Sequence, residues 1–248
     1  MRTGLINFRL ACRCRFNFKE PLYKIPCLYR SGNLSHVPTE IAKILYEELG
    51  IQYQIDLRSE EEIKKRGLAH NTLTEQGIAH KSYPISDQTN VFRSLKYPNS
   101  TDYYRHYWQM IQDHKTMLAD IFQDVLASPY ERIVFNCHAG KDRTGIIILL
   151  FMELLNIDRH SIIEDYVLSA NYLLPHIDDF KKHWEKRGLE KKDYLVRIQP
   201  KAHTLLLLFK RFDQEFGTVI GLGRALGLNP DLIKKLRAKF FTYEVRSV

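Results

Sequence analysis

The sequence predicts an α/β fold, a short central sheet flanked by helices, with further helices toward the C-terminus. Short apolar strand-like runs alternate with amphipathic helical segments early in the chain, and helical spacing dominates later, the pattern of a layered α/β domain. No repeat, low-complexity run or Pro/Gly/Ser-rich linker divides the 248 residues. Residues 1–248 therefore read as one domain, with 172–216 as a helical insertion.

The first clear helix runs from Pro38 to Leu49. Ile41, Ile44, Leu45 and Leu49 keep helical spacing, Pro38 suits a first turn and Gly50 a stop. Ile51 to Leu57 and Ala79 to Ile85 read as strands. From Thr101 to Leu126 one apolar face persists through Tyr103, Tyr107, Met110, Ile111, Met117, Leu118, Ile121 and Val125, so a single long helix is expected. Ile133 to Asn136 is short and apolar, a buried strand, and Ile146 to Leu155 is a helix apolar nearly all round. Helices follow at Ile162 onward, Leu173 to Arg187 and His203 to Phe216. Asn229 and Pro230 start the last one, with Leu232, Ile233, Leu236 and Phe240 inward.

With 44% hydrophobic and 27% charged residues, the chain can bury an ordinary core. Its longest strong apolar run, Ile146 to Met152, is far short of the ~20 residues that span a bilayer. The opening residues lack an apolar core with a small-residue cleavage site, so a cytoplasmic protein is expected. Cys12 and Cys14 form a C-x-C without a second pair. Reduced thiols suit the four cysteines better than a zinc site, and neither metal nor cofactor is expected. Seven basic residues (Arg2, Arg9, Arg13, Arg15, Lys19, Lys24, Arg30) face only Glu20 in the first thirty. That segment is a candidate for peripheral membrane contact or for an anionic substrate. No nucleic-acid motif accompanies it, so nucleic acid is not expected as a partner.

The chemistry concentrates in Asn136-Cys137-His138-Ala139-Gly140-Lys141-Asp142-Arg143-Thr144-Gly145. A loop between a buried strand and a buried helix can aim successive backbone N–H groups and the positive end of a helix dipole at an anion. Gly140 permits the bend, and Arg143 offers a fork matched to two phosphate oxygens. His138, Ala139, Gly140, Lys141, Asp142 and Arg143 are thus the candidate phosphate-binding residues. Cys137 stands at the mouth, where the same field favours thiolate over thiol and makes a nucleophile without a separate base. Thr144 could donate its hydroxyl to that sulfur. A buried structural cysteine is the plain alternative.

The loop resembles the phosphate loop, Cys-x5-Arg-Ser/Thr, of the protein tyrosine phosphatase superfamily. Its Cys-x3-Lys-Asp-Arg form is similar to the atypical tyrosine/lipid phosphatase family of bacteria and fungi. Asn7-Phe8-Arg9, Tyr29-Arg30-Ser31-Gly32, Ile55-Asp56-Leu57-Arg58-Ser59 with Glu62, Asp165-Tyr166 with Ser169, and Ala225-Leu226-Gly227 through Leu236-Arg237 match further family blocks in order. The resemblance implies a tyrosine-phosphatase-like fold and a cysteine-dependent phosphatase. Its implied substrates are phosphotyrosine, phosphoserine/threonine and phosphoinositides, and 172–216 would form a lid. Asn136 departs from the family, which usually places a loop-ordering His there. A phosphate-binding module without turnover is therefore the alternative function.

Two carboxylates are candidates for the general acid. Asp142 lies inside the loop, and Asp87 follows a strand as the acid does in dual-specificity phosphatases. Lys141 adds a cation beside the pocket. Arg30, Arg58 and Glu62 read as structural ion-pairing residues.

Overall fold

The computed structural model describes residues 5–11, 23–24, 27–66, 70–86, 92, 94–240 and 242–243. The described strands are β1 (Arg9–Leu10), β2 (Tyr23–Lys24), β3 (Cys27–Ser31), β4 (Tyr53–Asp56), β5 (Ala79–Ser82), β6 (Arg132–Asn136) and β7 (Thr242–Tyr243). Five form the central sheet in the order β1-β3-β6-β4-β5, while β2 pairs with β7. β1 runs antiparallel to β3, and every other pairing of the central sheet is parallel. The α/β architecture with flanking helices is thus the one the sequence predicts.

β6 shows why the sheet is covered on both faces. Ile133 and Phe135 point into one core and Val134 into the other, as the two-residue period of a strand requires. The smaller core holds Tyr29, Leu34, Leu45, Leu73 and Val134, from the sheet and the loop after β3, from α1 (Thr39–Lys43) and its continuation, and from α3 (His70–Glu75); α2 (Glu60–Arg66) follows β4 in the chain. The larger core packs α4 (Ser100–Asp113), α5 (Lys115–Ala127) and α6 (Asp142–Leu154) against the sheet. After them in the chain come α7 (Arg159–Leu173), α8 (Lys181–Glu185), α9 (Lys191–Ile198), α10 (Ala202–Phe216), α11 (Val219–Ala225) and α12 (Pro230–Phe240), with Trp184 of α8 and Ile198 of α9 in a separate small cluster around Leu173, Ile177 and Phe180. Among the described residues no helix is long and apolar enough to cross a membrane.

Several elements depart from the sequence reading. The expected long helix breaks at His114, whose backbone leaves helical geometry (φ −117°, ψ 21°). Its ring contacts the Met110 carbonyl at 3.0 Å and accepts from the Ser86 N–H at 3.2 Å. The segment read as a helix from Leu173 to Arg187 is a 3-10 turn, Leu174–Phe180, kinked at His176 just after Pro175, followed by the short α8. α1 ends in a wide π turn, Ile44–Glu48. α6 begins at Asp142, four residues before the expected start, so Arg143 and Thr144 lie within its first turn.

The parallel strands aim their C-terminal ends at one edge of the sheet, the usual place for a ligand in such folds. Below that edge β4 and β6 bury a polar column. Gln54, Asp56, Arg58 and Asn136 are all fully enclosed. Gln54 Nε2 donates to Asn136 Oδ1 at 2.8 Å, and Asn136 Nδ2 donates to Asp56 Oδ1 at 3.0 Å. Arg58 grips Asp56 through Nε and Nη2 and reaches Asn33 Oδ1 at 2.7 Å. Breaking a buried ion pair from one side strands a charge. Asp56→Ala is expected to lower unfolding free energy by about 3–5 kcal/mol in urea titrations at neutral pH, whereas a loss below ~1 kcal/mol, the scale of an exposed pair, would contradict this account of the column.

Candidate active site

Phosphate-loop geometry starts from Gly140, whose φ is +67°. A Cβ there would lie 2.5 Å from the Ser31 backbone C and O and 2.7 Å from Gly32 N. Only glycine fits, because both the backbone conformation and the contact forbid a side chain. Gly32 is pressed similarly, and a Cβ on it would lie 3.0 Å from Ile6 O and 3.1 Å from His138 O.

Donors behind the loop take its carbonyls in turn. Asn33 N–H binds His138 O at 2.9 Å. Asn7 Nδ2 binds Ala139 O at 3.1 Å and Gly140 O at 2.9 Å. Arg30 gives Nη2 and Nε to Gly140 O at 2.6 and 3.2 Å and Nη2 to Lys141 O at 3.3 Å. With the carbonyls held to the rear, the peptide N–H groups face the opposite way, as an anion nest needs. The clamp is itself anchored. Arg30 pairs with Asp165, and Arg9 reaches the Asp165 carboxylate at 3.3 Å and its carbonyl at 2.6 Å, Ser169 Oγ at 3.1 Å, and Asn7 Oδ1. Burial and the neighbouring Arg30 charge push Arg9 down to about 10, against the pull of Asp165. Two arginines share one aspartate, so a net positive charge sits beneath the loop.

Cys137, at the end of β6, is 3% exposed. Arg143 is fixed by Glu62, with Nη1 on Oε2 at 2.5 Å and Nη2 on Oε1 at 2.8 Å, while Nη1 also contacts the Leu57 and Ile85 carbonyls. That bidentate grip uses the Nη1/Nη2 edge of the guanidinium; the Nε/Nη2 edge is the other fork of the group. Glu62 also accepts from the Ser59 N–H at 2.9 Å, and Ser59 Oγ accepts from the Glu62 N–H at 3.3 Å. This is a capping box at the start of α2. Burial pushes the Glu62 carboxyl up, but Arg143, the Ser59 N–H and His138 outweigh it and bring it down to about 2.

Asp142 opens α6. Its Oδ1 accepts from the Tyr107 hydroxyl and lies 2.9 Å from Lys141 Nζ. Burial pushes this carboxyl up, yet Lys141 and Tyr107 pull it below the usual aspartate range. Burial also opposes the charge of Lys141, but Asp142 holds the ammonium well above the usual lysine range. Lys141 lies 4.6 Å above the Tyr103 ring and is almost fully enclosed. Thr144 is fully enclosed, and its hydroxyl has no hydrogen-bond partner, so the expected bond to the Cys137 sulfur is not formed here. His138 stacks on His183 with ring centroids 4.3 Å apart and meets Phe180 edge-on. Beside the loop lies a cleft lined by Lys141, Asp142, His106, Arg187, Tyr194 and Arg197, among others. Burial pushes His106 down to about 4, so its ring is neutral at pH 7.

Cys137 to Thr144 run from the end of β6 into the first turn of α6. Asp87 lies outside the described residues, as do Cys12 and Cys14 and most of the basic N-terminal segment. Asn136 does not contact the loop from the side chain; its amide is satisfied by Gln54 and Asp56. Glu62, read as structural, holds the candidate phosphate-binding arginine. Tyr103 and Tyr107, read as an apolar face, present polar hydroxyls: Tyr103 donates to the Arg197 carbonyl at 2.5 Å and Tyr107 to Asp142. Among the described residues no group of three or more His, Cys, Asp or Glu is arranged to hold a metal ion.

The model described as the tyrosine phosphatase family matches residues 3–242. The chain belongs to the tyrosine phosphatase family. A tyrosine-protein phosphatase of Nostoc commune is 30% identical over 128 residues, 50% of this chain and 42% of its own. A triple specificity protein phosphatase, PtpB, of Mycobacterium tuberculosis is 26% identical over 178 residues, 60% of this chain and 63% of its own. The chain spans less than two thirds of either relative's length. Among solved structures, the core catalytic domain of the PP-IP phosphatase SIW14 of S. cerevisiae, in complex with citrate, aligns at 17% identity. That alignment covers 90% of this chain and 96% of the other, with a TM-score of 0.41. TpbA of P. aeruginosa aligns at 12% identity over 70% of this chain and 86% of its own, with a TM-score of 0.31.

For this family member, the Glu62–Arg143 pair carries a pH signature. The folded carboxyl sits near 2 against an ordinary glutamate value of 4.5. The unfolded chain therefore binds the extra proton between those values, and stability falls as pH drops. The contribution is complete above about pH 4.5 and lost toward pH 2. The expected outcome is a urea midpoint that declines less between pH 5 and pH 3 in Glu62→Gln than in the parent; equal declines would contradict the pairing.

Proposed function

We propose that the protein hydrolyses phosphate monoesters through a cysteinyl-phosphate intermediate. The observation that carries this reading is Cys137 at the mouth of a nest whose carbonyls are clamped behind it, with Arg143 preset by Glu62. The Cys137 thiolate attacks phosphorus in line, the S–P bond forms and the P–O bond to the leaving group breaks. Its electron pair stays on the leaving oxygen, which takes a proton from Asp142. Water then attacks the thiophosphate, giving its proton to the Asp142 carboxylate, and inorganic phosphate and thiolate are restored. The nest and Arg143 bind the equatorial oxygens as charge shifts. Thr144, a buried hydroxyl without another partner, donates to the departing thiolate. Asp87 is the other candidate acid.

A carboxylate held low by Lys141 and Tyr107 is a base in the free protein; the added charge of a bound phosphate dianion raises it toward protonation. Phosphotyrosine fits a deep thiol, and dual-specificity hydrolysis of phosphoserine/threonine is included in the reading. Phosphoinositides are a second substrate class, favoured by Arg187 and Arg197 in the adjoining cleft. Lys141 contributes less to that field than its charge suggests, because Asp142 neutralises it at 2.9 Å. The segment 172–216 acts as a lid on this reading, supported by the contact of Phe180 and His183 with His138 and by the packing of Ala139 against the cluster of Leu173, Ile177 and Trp184. The basic N-terminus would add peripheral membrane contact. The binding-only alternative is the second reading, since Asn136 stands where a loop-ordering His is usual and its side chain bonds Gln54 and Asp56 rather than the loop.

Activity on aryl phosphates tests the mechanism. Cys137→Ser should fall to background while keeping phosphate binding, and Arg143→Ala should lose about 10²–10³-fold in kcat, the scale of one transition-state donor. Undiminished turnover in Cys137→Ser would overturn it. Asp142→Asn should steepen the dependence of kcat on leaving-group pKa, and Asp87→Asn should leave it unchanged; the reverse result would move the acid to Asp87.

A further inference from the structure

An aspartate has two oxygens, and a general acid must present the protonated one to its leaving group. Both partners of Asp142 converge on Oδ1, the Tyr107 hydroxyl and Lys141 Nζ. Oδ2 is therefore the oxygen left to carry a proton. Tyr107 and Tyr166 are almost completely buried. Their hydroxyl oxygens are 2.8 Å apart, and their rings meet edge-on at 6.2 Å. A phenol has one proton to donate. Tyr107 gives its proton to Asp142, so the hydroxyl pair can only be filled by Tyr166 donating to Tyr107. The result is a one-directional chain, Tyr166 to Tyr107 to Asp142 Oδ1, anchored on two different helices.

We propose that Tyr107, backed by Tyr166, is a positioning residue that locks Oδ1 of Asp142 and so assigns the transferable proton to Oδ2. The inference rests on the reading of Asp142 as the general acid. Burial holds both phenols above their ordinary range, so they remain donors at neutral pH. The charged and titratable groups around the carboxylate are Lys141 and Arg143 from its own segment, and Tyr103, His106 and Tyr107 from α4. Tyr166 from α7, and Arg187, Tyr194 and Arg197 at the cleft, complete the set. Lys201 adds a second ammonium, 5.5 Å from the Tyr103 ring. Of these, Tyr107 and Lys141 touch Asp142, and Tyr107 is the one whose removal changes no formal charge.

The test compares Tyr107→Phe, Tyr166→Phe and Asp142→Asn in the full chain, using aryl phosphates of differing leaving-group pKa across pH. Tyr107→Phe removes a hydrogen bond that favours the carboxylate. Asp142 should then stay protonated to higher pH, and the basic limb of kcat should move up. At the same time kcat on poor leaving groups should fall roughly tenfold or more, as for loss of one hydrogen bond to a charged group, with little change in KM. Tyr166→Phe should move the limb the same way by a smaller amount, and it carries the test if Tyr107→Phe fails to fold. A purely structural role would lower melting temperature without moving the limb. If Asp142→Asn steepens the leaving-group dependence while neither tyrosine variant moves the limb, the positioning role is overturned and the acid reading stands. If Asp142→Asn does not steepen it, the acid reading falls, and this inference with it.

Discussion

The backward orientation of the carbonyls from His138 to Lys141 is the constraint on which the site depends. A loop of consecutive peptides can aim its N–H groups at an anion only if its carbonyls find donors elsewhere, since a buried unpaired carbonyl is costly. Here the donors are three groups distant in sequence from the loop: the Asn7 side chain, the Asn33 backbone, and the Arg30 guanidinium, which is anchored by Asp165 on α7. Gly140 and Gly32 let these elements approach to distances that any side chain would prevent. The sheet supplies the geometry, since β3 and β6 are adjacent and parallel and bring Arg30 level with Phe135, two residues before Cys137.

Charge follows the same plan. Arg9 and Arg30 flank Asp165 under the loop, and Arg143 is held by Glu62 at its rim. Each arginine has a carboxylate partner, which limits the cost of burying it, and the arginines still outnumber the aspartate beneath the loop. Lys141 and Asp142 form a self-neutralising pair. The loop therefore draws its positive potential from peptide dipoles, the helix end and the excess of Arg9 and Arg30 over Asp165 more than from its lysine. The adjoining cleft, with Arg187 and Arg197, is the place where further anionic groups of a substrate would be met.

Much of this was legible in the sequence, for reasons that differ by element. The loop was visible because its chemistry is local: strand, cysteine, glycine, arginine and apolar helix lie within about twenty residues. Asn7, Arg9, Arg30, Asp165 and Ser169 could be matched to family blocks, but only the fold shows that they form one clamp. β3 was not read as a strand because a buried arginine interrupts its apolar signal. The break at His114 was hidden because the apolar face continues in phase across it. Glu62 carried a detectable signal, Ser-x-x-Glu as a capping box, but nothing local ties it to Arg143, 81 residues later. Tyr107 was counted as apolar; a tyrosine at a helical core position is both a hydrophobe and a donor, and the sequence alone does not say which end matters.

The clamp can be tested directly through anion binding to the Cys137→Ser protein, measured calorimetrically with inorganic phosphate, with and without Asn7→Gly. Glycine keeps the positive φ of 53° found at Asn7 and removes the side-chain amide, which holds the Ala139 and Gly140 carbonyls and accepts from Arg9. If rear hydrogen bonds preform the nest, phosphate affinity should drop about tenfold, the worth of roughly one buried hydrogen bond, while the protein remains folded. Unchanged phosphate affinity in the folded Asn7→Gly protein would contradict the account.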